Sequence, residues 1–119
     1  MDIVTTSKNI EAKIKKLDQA PEKLMERAKE AAATEAEYEK RMAITIARLE
    51  NGETFVVEGT EIKDAGMGVR KEKAKGICWE TKMKMIEAQL MYKASVKNAD
   101  IICAQLNGWQ SINRHLSTL

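Results

Sequence analysis

The chain carries one proline, one phenylalanine and one histidine among its 119 residues, and only two cysteines. Each shortage excludes something. A single proline leaves long spans free of the residue that most often breaks a helix. The lone histidine, His115, sits near the end of the sequence, so a Cys-His or Ser-His-Asp site would need that end to fold back a long way. Neither Cys78 nor Cys103 has a second cysteine or a histidine at metal-ligand spacing, and both read as small packing residues. No catalytic residue, metal site or cofactor is expected, and the chain is not read as an enzyme.

The two cysteines also lie on one predicted helix, ~37 Å apart if it is straight, too far to pair within a chain. This implies a reducing compartment. No uninterrupted apolar run approaches membrane-spanning length, and the opening MDIVTTSKN lacks the basic-then-apolar order of a secretory leader. The expectation is a cytoplasmic protein with no membrane partner.

What remains is helix-forming. Hydrophobic residues make up 44% and charged residues 32% of the chain, with seven methionines, a balance that suits one domain rich in long helices. The stretch from Arg70 to Leu106 has no proline, and Trp79, Met83, Ile86, Leu90 and Ala94 recur at steps of three and four before Ile101, Ile102 and Leu106 resume the pattern. A single helix of roughly 37 residues would be about 55 Å long, so its apolar face needs a partner in a hairpin, a coiled coil or an oligomer.

Ahead of it, residues 1–20 read as an N-terminal segment with a short helix, capped by Thr6 or Ser7 and sharing Ile10, Ile14 and Leu17 on one face. Asp18 to Pro21 reads as an interruption, because proline disfavours helix in the residue before it and suits the first turn of the next. Residues 21–50 then read as a helix, with Leu24, Ala28, Ala31, Tyr38, Met42 and Leu49 at heptad-like spacing and Glu35 and Thr45 as polar exceptions. Ala32, Ala36, Ala43 and Ile46 widen the stripe, and Asn51-Gly52 supplies a stop.

Residues 51–69 leave the helical pattern. Thr54, Phe55, Val56 and Val57 favour extended backbone, so a loop or short β-hairpin turning near Glu58-Gly59 is expected, with Asp64 as a possible cap for the next helix. At about 18 residues this connection exceeds the roughly 2 to 8 usual between helices, which marks it as functional or mobile. The long helix covers 70–107, Asn107-Gly108 marks a break, and 109–117 form a terminal helix. The fold class is mainly α, a long antiparallel helical hairpin of coiled-coil type with a short β-like hairpin in the connecting loop and a short C-terminal helix.

Charge is unevenly spread although the net is only +2. Residues 1–62 hold ten Lys or Arg against thirteen Asp or Glu, while 63–97 hold nine against four. Arg70, Lys71, Lys73, Lys75, Lys82 and Lys84, with Trp79 and with Phe55 at the hairpin, supply cations for phosphates and rings for bases, the ingredients of single-strand binding. A solvated helix face with Trp79 in the core explains the same residues, and the charge contrast also fits pairing between helices through Glu35, Glu37 and Glu39. Gly66-Met67-Gly68-Val69-Arg70-Lys71 has glycines of a phosphate loop but lacks its third glycine and a Walker ending, and reads as a flexible start to a helix. Trp109, Ile112 and Leu116 form an apolar patch that a two-helix hairpin cannot bury alone, and are the expected oligomer interface.

The order long helix, glycine-containing loop, long helix, short terminal helix resembles the UvsY-like phage recombination mediators over about Tyr38 to Leu116. The local match is the ending AQLNGWQSINRHL, with Leu106, Asn107, Gly108, Trp109, Ile112 and Asn113. The resemblance implies an oligomeric, non-enzymatic assembly that binds single-stranded DNA and helps load a recombinase in place of the single-strand-binding protein, in the host cytoplasm. Arg70, Lys71, Lys73 and Lys75 as phosphate contacts come from charge alone, and the alanine-rich first helix and β-like tip depart from the family's pattern. Two other functions fit the same features: a phage protein that binds and inhibits or adapts a host protein such as a defence or nuclease complex, and a structural helical connector.

Overall fold

A computed structural model describes residues 2–118. In chain order it contains helix α1 (Ile3–Glu50), strands β1 (Phe55–Val57) and β2 (Thr60–Ile62), and helices α2 (Met67–Ile77) and α3 (Trp79–Thr118). The fold is mainly α, an antiparallel helical hairpin with a β-hairpin in its connection. Two compact units share the long helices, one made of residues 29–89 and the other of 1–28 with 90–119.

The unit of 29–89 is built around the end of α1. Met42, Leu49, Ala74 and Cys78 are buried together, with Tyr38, Ile46, Phe55 and Ile77 packed against them. Leu49 is wholly buried, which alone stabilises the fold by ~2 kcal/mol. Asn51-Gly52 ends α1 as expected: the Gly52 N–H donates to Leu49 O at 3.0 Å and the Glu53 N–H to Arg48 O at 3.1 Å, with Gly52 at φ 85°. These are the paired bonds of a Schellman ending, which needs a left-handed residue that glycine adopts without strain.

The expected hairpin is present. β1 and β2 pair antiparallel with Phe55 opposite Ile62, Val56 opposite Glu61 and Val57 opposite Thr60. Glu58 and Gly59 make the two-residue turn, both at positive φ, which matches the right-handed twist of the strands.

Asp64 does not cap α2. Gly66 occupies that position with no side-chain cap, while Asp64 accepts from Arg70 one turn into the helix. The stretch 70–107 is also not one helix, because α2 stops at Ile77 and α3 starts at Trp79. At the junction Cys78 has φ −91° and ψ 22°, yet its N–H still donates to Ala74 O at 2.9 Å and its carbonyl accepts from the Lys82 N–H at 3.0 Å. Gly76 weakens the helix just ahead, and the contact of Cys78 Sγ with Thr45 Oγ1 at 3.3 Å holds the bend against α1.

In the other unit, two expected breaks are absent. Pro21 lies inside α1, which runs unbroken from Ile3, and Asn107-Gly108 lies inside α3. Leu17, Ala20 and Leu24 keep one partly covered face running through the proline, while Pro21 itself is exposed, so water can serve the carbonyl its missing N–H leaves unpaired. Residues 109–117 are helical as the last turns of α3. The start of α1 is capped by Asp2 rather than Thr6 or Ser7: Asp2 Oδ1 accepts the Thr5 N–H at 2.7 Å, a bond that lowers the Asp2 pKa. Thr6 is wholly buried and donates its hydroxyl to Asp2 O at 2.8 Å.

The covered face of α3 is a second apolar series, offset from the one that dominates the sequence. In the unit of 29–89 it runs through Thr81, Met85 and Ala88, and in the other unit through Ser95, Ala99, Ile102, Leu106, Trp109, Asn113 and Leu116. Steps of four and three alternate, the repeat of a coiled-coil seam. The small residues Ala88, Ser95 and Ala99 permit close approach, whereas the more conspicuous stripe is left exposed at Trp79, Met83 and Ile86. Among the described residues no helix is long and apolar enough to cross a membrane.

Candidate functional site

Within the unit of 29–89, the basic run divides into committed and uncommitted cations. Arg70 is committed. Its Nε and Nη2 donate to the two carboxylate oxygens of Asp64 at 3.0 and 2.8 Å, and its Nη1 to Glu50 Oε1 at 2.9 Å. With 17% of its side chain exposed, it ties the loop to the end of α1. The hydrogen bond to Asp64 raises the Arg70 pKa, and the same bond holds the Asp64 carboxyl below its ordinary value.

Lys73 donates to the Lys63 carbonyl at 2.6 Å, and Lys75 to Glu72 Oε1 at 3.3 Å. Lys71, Lys82 and Lys84 are exposed and form no ion pair among the described residues. Lys84 still contributes to lowering the Glu37 pKa, after the larger effect of the hydrogen bond from Arg41. Of the three acids expected to pair between helices, Glu37 pairs instead with Arg41 on its own helix.

Phe55 is not an open platform for a base. It is half-buried against the core, and the Arg48 guanidinium stands 4.7 Å from its ring centroid. The accessible ring is Trp79, 39% exposed at the first residue of α3. It lines a cavity of about 420 Å³ with Arg41, Arg48, Phe55, Glu80 and Thr81. Arg41 is bonded to Glu37 at 2.8 Å and Arg48 to Glu53, and both keep more than half of their side chains exposed. The groove thus joins two guanidinium groups on one face of α1 to an open indole on α3.

Arg41 and Arg48 were not singled out by sequence reasoning. They stand seven residues apart, two turns along one helix face, and that spacing was the available signal. The surplus of acids over residues 1–62 conceals it.

The groove offers charge and a π-face for binding. Cys78, on its floor, is buried against Thr45, and no group of three or more potential metal ligands gathers among the described residues. In the other unit Trp109 and Leu116 are half-buried members of the covered series, Trp109 lining a cavity with Asn9, Lys13 and Gln105. Ile112 is 42% exposed, so the three expected oligomer residues do not form one open patch. No family model, curated protein or solved structure matches the chain, and its function is argued from its own residues.

Proposed function

We propose that this chain is a non-enzymatic, oligomeric accessory factor that binds single-stranded DNA, of the kind that serves phage-type recombination or replication. The supporting observation is the groove that brings Arg41, Arg48 and the exposed Trp79 ring together. Guanidinium groups pair with phosphate oxygens and an indole stacks on any base, so the set favours a splayed single strand without demanding a sequence. Lys71 and Lys84 add cations that nothing in the unit neutralises by a direct ion pair. Compared with the charge-based expectation, the centre of the surface moves from Arg70, Lys73 and Lys75 toward α1 and the start of α3.

Fluorescence anisotropy of a labelled single-stranded oligonucleotide tests this. Binding should weaken steeply with salt, and Arg41→Ala together with Lys71→Ala should reduce it about tenfold, while the fold, read by circular dichroism, persists. Binding unchanged by both substitutions would remove the proposed surface.

A second reading has its own observation. The large apolar side chains exposed on α3 suit a protein contact, as an adaptor or inhibitor of a host protein or a structural connector would use. Such an interface would persist at salt concentrations that release DNA.

A further inference from the structure

The exposed stripe at the start of α3 has the period of a second seam. Met83 and Ile86 are three residues apart and are 47% and 41% exposed, while Trp79, one step ahead of them, lines the groove and stands outside this seam. The covered residues Thr81, Met85 and Ala88 lie on the opposite side of the same helix. A helix apolar on two opposed sides is built to touch two helices, and α1 serves only one of them. Leu90 falls at the next step of the spacing, and Lys93 and Lys97 then occupy the following ones, so the apolar run is short and bounded.

The flanks of the stripe are charged with opposite sign. Taking Met83 as position a and Ile86 as position d of a heptad, Glu80 and Glu87 fall at e, on one flank, and Lys82 at g, on the other. All three are exposed, and none makes an ion pair among the described residues. In a parallel pair of helices in register, a g residue meets the e residue five positions on in its neighbour, so Lys82 of each copy would face Glu87 of the other. An antiparallel pair would instead set acidic flank against acidic flank and lysine against lysine.

We infer that this face is where a second copy of the chain docks, through a parallel, in-register pairing of α3 over Met83 and Ile86 with Lys82–Glu87 contacts on both sides. The inference deepens the oligomeric part of the proposed function, replaces Trp109, Ile112 and Leu116 as the principal contact, and does not require DNA. Pairing two copies places two arginine grooves on one particle, which lets a single strand engage both and raises its effective affinity without any new contact.

The experiment is sedimentation velocity of the full chain without DNA, beside disulfide trapping of Met83→Cys in a Cys103→Ser background. The parallel arrangement predicts a dimer or a multiple of it, and rapid oxidation of Met83→Cys to a covalent dimer. It also predicts that Glu87→Lys weakens association roughly tenfold, that Lys82→Glu does the same, and that the double exchange restores it. Ile86→Asp should give a monomer with unchanged helical circular dichroism, which separates lost docking from lost folding. A wild-type monomer would overturn both this inference and the oligomeric reading. An oligomer unaffected by Ile86→Asp, or strengthened by Glu87→Lys as an antiparallel pair would be, would overturn this inference alone.

Discussion

The two units solve the same problem with different means. In the unit of 29–89 three kinds of structure close on the last turns of α1: the β-hairpin through Phe55, α2 through Ala74 and the helix junction through Cys78. Arg70 then ties the loop down from two carboxylates. The unit made by the chain ends has only two helix faces, and their covered positions include Lys13, Arg27, Ser95 and Asn113 beside Ile102 and Leu106. Among the described residues Asn113 even buries its Oδ1 without a hydrogen-bond partner. Closure from several directions lets a small unit bury a side chain as completely as Leu49, whereas a two-helix seam leaves polar groups half-covered.

The largest expected effect breaks the better-closed unit. Leu49→Ala removes its one wholly buried large apolar side chain and should cost about 3 kcal/mol in urea unfolding. Loss of amide protection should centre on the turns of α1 around Met42 and on Cys78, the residues that touch the same cluster.

A smaller change acts on the other unit with the opposite sign. Pro21 sits inside a continuous helix, where proline costs up to ~3 kcal/mol against alanine. Pro21→Ala should therefore raise the melting temperature. No gain would mean that the helix is interrupted there in solution.

These two residues also show what was legible beforehand. Leu49 belongs to a heptad-like run that ends at Asn51-Gly52, and both periodicity and stop signal are local, so α1 after Pro21 could be read directly. The Glu58-Gly59 turn was legible for the same reason, since two β-favouring runs flank a residue pair able to take positive φ. Pro21 and Gly108 misled because tertiary packing of the surrounding helix faces overrides a single unfavourable residue. Periodicity could not choose between the two apolar series on α3, which share one repeat; the choice fell to the series with the small residues Ala88, Ser95 and Ala99. Nor could the charge run reveal that Arg70 is occupied, because Glu50 is twenty positions away in the chain.

The smallest effect concerns that occupied arginine. The Arg70 hydrogen bonds lower the Asp64 pKa from its ordinary 3.8, so the contact stabilises the fold at neutral pH, begins to fade below the ordinary value, and is lost as pH falls through the lowered one. Asp64→Asn should melt below the wild type at pH 7, and the gap should narrow as the pH falls below 3.8. A gap that stays constant across that range would show that the carboxylate charge contributes nothing.

Trp79 offers the most direct test of the proposed function. The chain has two tryptophans, so Trp109→Phe leaves Trp79 as the only indole reporter. Adding a single-stranded oligonucleotide to that variant at low salt should quench its fluorescence, and added salt should restore it, since stacking at the groove depends on the phosphates held beside it. Fluorescence unchanged by saturating oligonucleotide would contradict single-strand binding at this groove.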